Sequence, residues 1–217
     1  MTDSLIQTIA IAALPVIFAI TLHEAAHGYA ARYFGDSTAA MAGRISLNPA
    51  RHIDLWGTIL IPAMILLFSG GSFLFGYAKP VPVNFGKLRN PKRDMLWVAA
   101  AGPAANLFMA LCWGLLLKLA VSMPDNLYAE PLARMSEIGI TINAVLMVLN
   151  LFPLPPLDGG RIAVSLLPMR QAIAYSRIEP WGFPILLVLL FTGILGGILG
   201  PFVNLVRYAV AGIFGLV

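Results

Sequence analysis

Charged residues and histidines are absent from five long stretches of the chain: residues 4–22, 55–78, 95–117, 138–157 and 180–206. A bilayer core takes about 20 mostly apolar residues per helix, and each stretch meets that length. The pattern is that of an all-α polytopic membrane protein. A first helix is expected over residues 5–34, followed by a polar loop over 35–54. The second apolar run, 55–75, is interrupted by Pro62 and by Gly70-Gly71. Pro80 and Pro82 alternate with Val81 and Val83, which cannot be helical and predicts an edge strand or extended loop over 76–84. Residues 43–49 have a similar extended look. Further helices are expected at 95–120 and 138–152, the second stopped by Pro153, Pro155 and Pro156. A fifth run, 183–199, is expected to end where Gly193, Gly196, Gly197 and Gly200 cluster, leaving 202–217 as a short apolar tail.

Composition agrees with this pattern. The 217 residues are 59% apolar and 11% charged, against roughly a quarter charged in a soluble domain, and mean hydropathy is +0.84. A disordered chain is excluded and an ordinary cytosolic enzyme is disfavoured. The net charge of +4 comes from basic residues between the apolar runs, where they set orientation rather than bind nucleic acid. The bilayer is the expected partner and nucleic acid is not. Cys112 stands alone, so no internal disulfide can form. Met1-Thr2-Asp3-Ser4 has no basic n-region, so the first run is expected to stay in the mature protein. Trp56, Trp97 and Trp181 lie at the edges of apolar runs, as an interfacial belt requires. With no repeat and no long linker, residues 1–217 read as one membrane-embedded domain.

Chemistry enters with His23-Glu24-Ala25-Ala26-His27. On a helix, positions i and i+4 stack on one face, so both imidazoles can reach a single metal ion. Glu24 projects beside them and can take a proton from a water activated by that metal, the zinc-metalloprotease arrangement. The plainer reading is two histidines hydrogen-bonded inside a bundle, but ionisable groups at membrane depth are costly and functional by default. A catalytic zinc takes three protein ligands and keeps one open position. His52 and Cys112 are poorly placed for the third. Asp158 is the better candidate, because it follows Pro153, Pro155 and Pro156 and precedes Gly159-Gly160. Broken helix at membrane depth requires a protein-lined or polar cavity, and such a break can turn the carboxylate inward. The competing reading has Asp158 capping the next helix beside Arg161.

Three signatures occur in order: His23-Glu24-x-x-His27, Gly102-Pro103-x-x-Asn106, and Asn150-x-x-Pro153 leading to Leu157-Asp158-Gly159. Together they resemble the site-2 protease family, intramembrane zinc metalloproteases of the M50 type. The resemblance covers a three-helix catalytic core at about 5–34 and 95–167. It implies one Zn²⁺ per chain held by His23, His27 and Asp158, and Glu24 as catalytic acid and base. It further implies Asn106 and Asn150 as cavity residues that bind substrate or the developing oxyanion. A helix–helix hydrogen bond is the alternative for each asparagine. The implied reaction is hydrolysis of peptide bonds in or near transmembrane segments of membrane proteins. The sequence differs from many members in having no PDZ or CBS segment and in the apolar insert 55–75. Extended stretches 43–49 and 76–84 offer edges on which an unwound substrate could add as a strand. A metal transporter, or a catalytically silent protein of the same fold, are the alternatives. Transport asks for more polar residues along a path than the apolar runs supply.

Topology follows from parity. For His23, His27 and Asp158 to share a metal, the first and fourth runs must point the same way and the 95–120 helix the opposite way. The insert 55–75 then contributes no net crossing. Arg32, Arg44 and Arg51 before the insert, and Lys79, Lys87, Arg89, Lys92 and Arg93 after it, place both flanks in the cytoplasm. Arg170 and Arg177 join them there, and the acidic loop 125–137 falls outside. The expectation is a multi-pass protein of a prokaryotic inner membrane with its active site towards the cytoplasm.

Overall fold

The computed structural model describes residues 2–51, 54–61, 64 and 79–216; for residues 2–6, 8, 9, 55, 58 and 59 it describes the backbone alone. His52 and most of the 55–75 insert lie outside the described residues, so the expectation for that insert is addressed only through its flanks. Helix α1 spans Thr2–Tyr33 and a short α2 spans Thr38–Met41. Helix α3 is Pro91–Val121 and α4 is Ala129–Leu151. They are followed by α5 (Asp158–Leu166), α6 (Met169–Ser176), α7 (Glu179–Phe191) and α8 (Ile194–Ile213). Among the described residues four helices, α1, α3, α4 and α8, are long and apolar enough to cross a membrane, and the bent pair α6–α7 makes a fifth if it is one span. The chain is an all-α, multi-pass membrane protein.

Side-chain contacts fix the helix directions. Moving from His23 to His27 up α1, the partners run from Asn106 to Val98 down α3, so these helices are antiparallel. Asn143 bonds Asn106, whereas Gly139 packs under Trp113, so α4 is antiparallel to α3 and parallel to α1. This is the arrangement that parity requires. At the core of the bundle Met109, Ala110 and Trp113 of α3 pack with Ile140 of α4 and Val210 of α8. Outward-facing apolar side chains such as Phe108, Leu115, Val188, Phe202 and Leu205 are exposed, as lipid contact demands. Trp56, Trp97 and Trp181 are also exposed.

Two expected boundaries differ. Helix α4 begins at Ala129, not 138, so most of the acidic 125–137 loop is helical. Its charges do not break the helix because the first turns tolerate Pro131, and Glu130 pairs with Arg134 one turn on, at 2.5 Å. The 183–199 run is not one helix. Gly193 adopts a left-handed conformation (φ 75°) that ends α7 and starts α8. Gly196, Gly197 and Gly200 lie inside α8 and mark no terminus, and the expected tail 202–217 is mostly this helix. Of the 43–49 and 76–84 stretches, 43–49 begins in a turn at Gly43 (φ 63°) and ends where a 3₁₀ turn starts at Pro49, and 79–84 is a loop; no strand pairing occurs among the described residues. An alternating Pro-Val sequence lacks the donors that a ladder needs.

Those two segments meet across the insert. Arg44 donates to the Lys79 carbonyl at 2.8 Å, and Ile45 and Val81 both close on Gly28 of α1. The chain therefore enters and leaves the insert at the same end of the bundle. Single cysteines at Ser46 and Lys87, in a Cys112→Ala background, are expected to share their reactivity towards an impermeant thiol reagent in intact cells. Labelling of one without the other would contradict the contact.

Candidate metal centre

The site forms where α1, α3 and the start of α5 converge. His23 and His27, one turn apart on α1, are both buried. The His23 Nδ1 lies 2.7 Å from Asn106 Oδ1, and the His27 Nδ1 lies 2.7 Å from the Val98 carbonyl. Both partners are acceptors, so each ring donates from Nδ1 and a neutral imidazole presents a bare lone pair at Nε2. The Asn106 orientation is fixed by its amide nitrogen, which donates to the Ala19 carbonyl at 3.2 Å and to Asn143 Oδ1 at 3.0 Å.

The two Nε2 atoms are 3.1 Å apart. Asp158 Oδ2 lies 3.3 Å from the first and 3.2 Å from the second. It is buried without a hydrogen-bond donor. Three electron-rich atoms thus face one another with no proton between them, which is unfavourable unless a cation occupies the centre. Tetrahedral zinc with bonds of about 2.0–2.2 Å spaces its ligand atoms about 3.3–3.5 Å apart, close to the separations found. Among the described residues this is the one group of three His, Cys, Asp or Glu side chains close enough to hold a metal.

Small residues make room for it. A Cβ on Gly102 would sit 2.6 Å from His23 Cε1 and on top of His27 Nε2, which explains the glycine in Gly102-Pro103-x-x-Asn106. Asp158 reaches the histidines because α4 stops at Leu151 and the chain turns back through Pro153, Pro155 and Pro156 into α5. Gly159 and Gly160 let α5 rest directly on the Leu151 carbonyl and the Pro155 backbone. Asp158 is therefore the first residue of α5, after the cap position Leu157; it makes no capping bond, and its carboxylate faces the histidines.

A cavity of about 350 Å³ opens beside this cluster, lined by Glu24, Asn150, Arg161 and the 80–83 segment as well as the three clustered residues. Glu24 is half-buried, and its Oε2 accepts the Val81 N–H at 2.7 Å. Asn150 faces the cavity while donating to its own Leu146 carbonyl at 2.9 Å. Asn106 does not line the cavity. It is fully buried behind His23 with its amide committed to protein partners, so the expected contact with substrate or oxyanion is corrected to a bond with an imidazole. Sequence reasoning passed over Asn143, fully buried in α4. Its signal was present: a polar residue in an apolar run, two helical turns before Asn150 and on the same face.

The 79–88 segment is pinned over the site from its far end. Asp36, just past α1, accepts the Asn84 N–H at 2.6 Å, the Thr38 N–H at 2.9 Å and the Thr38 hydroxyl at 2.5 Å. Arg89 donates to the Tyr33 carbonyl at 2.7 Å and so also caps α1. Burial pushes the Asp36 carboxyl up, but the Thr38 and Asn84 bonds and the charge of Lys87 outweigh it and hold the pKa below its ordinary 3.8.

A helical membrane bundle with a His-His-Asp donor set and an adjacent carboxylate defines an integral-membrane metallohydrolase. Comparison with known proteins names the family. The model of peptidase family M50 matches residues 119–193, the part that carries Asp158. A protein of Bacillus subtilis named "Putative zinc metalloprotease YwhC" is 37% identical over 94% of this chain and 90% of its own length. "Putative zinc metalloprotease Rip2" of Mycolicibacterium smegmatis is 32% identical over 81% of this chain and 64% of its own. Its namesake in Mycobacterium tuberculosis H37Rv is 30% identical over 83% of this chain and 66% of its own. No solved structure matches the chain. The chain belongs to peptidase family M50 and is a zinc metalloprotease.

Loss of the Asp36 carboxylate is expected to free the segment it anchors. Asp36→Asn should speed hydrogen exchange at the Asn84 amide and increase proteolytic nicking within 79–88. Because the folded pKa is depressed, the anchoring contribution is complete above the unfolded value and is lost as pH falls through the folded one. Exchange at Asn84 should therefore rise below about pH 3.8 in the native protein, and show no such acid-dependent step in Asp36→Asn.

Proposed function

We propose that this protein is an intramembrane endopeptidase that cuts peptide bonds in or near transmembrane segments of membrane proteins. It uses one zinc ion per chain, ligated by His23, His27 and Asp158, with Glu24 as proton acceptor and donor. The observation that carries the reading is the convergence of two imidazole nitrogens and one carboxylate oxygen within 3.3 Å of one another, in a helical bundle built for a bilayer.

Bound zinc supplies Lewis acidity, which polarises a carbonyl and makes water a nucleophile near neutral pH. The protein's own residues do the rest. Glu24 holds one carboxylate oxygen on Val81 and keeps the other for the attacking water, whose proton it accepts. It then passes that proton to the leaving nitrogen. Asn150 lines the cavity opposite and offers its amide to the substrate carbonyl as negative charge develops there. Asn106 and Asn143 hold the His23 ring in the tautomer that a metal ligand requires. Residues 1–217 act as one membrane-embedded peptidase unit, with the catalytic core at about 5–34 and 95–167.

A transmembrane substrate must unwind, and its freed backbone groups need partners inside the membrane. The 79–84 segment borders the cavity and offers such partners at the Val83 N–H and at its backbone carbonyls, the Val81 N–H being taken by Glu24. Positive charges at both flanks of the insert and on α6 support a cytoplasmic orientation of this end in a prokaryotic inner membrane.

Purified protein should hold about one zinc per chain, and His23→Ala, His27→Ala and Asp158→Ala should each lose it by metal analysis. Full occupancy in Asp158→Ala would reject that residue as a ligand. Glu24→Gln should keep zinc while cleavage falls by about 10²–10⁴-fold. Asn106→Leu leaves every ligand in place yet should weaken zinc affinity by about 10–100-fold.

Unwinding is part of the barrier, so the substrate's own helix propensity should set the rate. Gly or Pro near the scissile bond of a model transmembrane substrate should accelerate cleavage in proteoliposomes, and an uninterrupted Leu span should slow it. Faster cutting of soluble unfolded casein than of any embedded helix would overturn the intramembrane reading.

A further inference from the structure

Arg161 is unused by the chemistry above. It lies three residues beyond Asp158 on α5, on the same face, and borders the catalytic cavity. It also borders a second cavity of about 320 Å³, which continues past Phe85 to Gly160, Ser176 and Glu179. Arg161, Phe85, Val83 and Pro156 line both spaces, so the two adjoin along this wall. The Arg161 guanidinium lies over the Phe85 ring, its Cζ 4.9 Å from the centroid. A cation over an aromatic face keeps N–H groups available to a ligand.

Arg161 is half-buried, and its backbone bonds Leu157 and Ser165, yet no hydrogen bond or ion pair to its guanidinium occurs among the described residues. Glu179 shares the second cavity with it without forming a pair. A cation at this depth without a counter-ion is costly, and the cost is recovered when a ligand brings the missing charge.

We propose that Arg161 and the second cavity form a side-chain subsite that selects substrates carrying an acidic residue close to the scissile bond. The proposal rests on the peptidase reading of the adjoining site. The guanidinium takes the carboxylate through two parallel N–H bonds, and the Phe85 ring lies against it. Such charge-assisted contacts give about tenfold or more discrimination over a neutral isostere. An arginine acting on the oxyanion would instead affect all substrates alike, because the carbonyl is common to them.

The test uses the full chain, zinc-loaded and reconstituted in proteoliposomes. A panel of single-span substrates carries Glu, Gln or Lys at each position within about four residues of the cleavage site. At one of these positions the wild-type protein should cut the Glu substrate about tenfold or more faster than its Gln counterpart, read as kcat/KM. In Arg161→Gln that ratio should collapse to near one, and in Arg161→Glu it should invert in favour of Lys. Arg161→Lys, which keeps the charge without the fork, should retain part of the preference. Metal content confirms that each variant is folded. An acid preference absent from the wild type, or undiminished in Arg161→Gln, overturns the proposal, as does an equal loss on all substrates. Binding of the same panel to Glu24→Gln protein is measured alongside by photo-crosslinking. If nothing in the panel is cut, the peptidase reading fails. The subsite is then still decided by whether Glu24→Gln protein binds the Glu peptide about tenfold tighter than the Gln peptide, a difference that Arg161→Gln should remove.

Discussion

The two Nδ1–H bonds of His23 and His27 are the constraint on which the rest of the site depends. Each imidazole has two nitrogens, and committing one to a carbonyl-type acceptor determines what the other can do. Asn106 and the Val98 carbonyl take the Nδ1 protons, so both Nε2 lone pairs face inward. Asp158 Oδ2 then closes the triangle, buried and without a donor of its own. In a low-dielectric interior such a triangle favours a divalent cation strongly. A family of zinc metalloproteases is where this chemistry belongs.

Much of the bundle serves to keep that geometry. Asn106 is oriented by the Ala19 carbonyl and by Asn143, so one hydrogen-bonded chain ties α1, α3 and α4 together at one level. Interhelical amide bonds of this sort are worth about 0.6–2 kcal/mol in membranes, and here they also fix a ring tautomer. Gly102 provides the complementary half by leaving out a Cβ that the imidazoles would strike. Small residues and a few buried amides do the specifying that apolar burial cannot, because lipid is as apolar as the helix surfaces.

The polar side of the site is assembled from segments with little regular structure. The 79–88 segment reaches Glu24 through one backbone amide, is tied to Arg44 at one end, and is anchored on Asp36 at the other. Its two prolines leave Val81 and Val83 as the only donors in 80–83. One of them is already spent on the carboxylate. A glutamate held by backbone rather than by a charged side chain keeps its charge available for a proton, as the role proposed for Glu24 requires.

The sequence by itself determined the rough positions of α1, α3 and α4, the histidine pair and the carboxylate beside it. It also made Asp158 the leading third ligand, because spacing on a helix and the cost of charge in a bilayer are local properties. It misjudged where charge-free length and helix length diverge. Helix α4 continues into its acidic first turns, and one left-handed glycine divides the last apolar run while its neighbours stay helical. Only the tertiary structure decided that Asn106 faces an imidazole rather than substrate, that Asn143 stands behind it, and that Val81 caps Glu24. It alone brought Arg161 and Phe85 to the junction of two cavities. These partners lie on different elements, and hydrogen-bond partners far apart in sequence leave no periodic trace. Packing fixes them, and packing is settled only when the helices are docked.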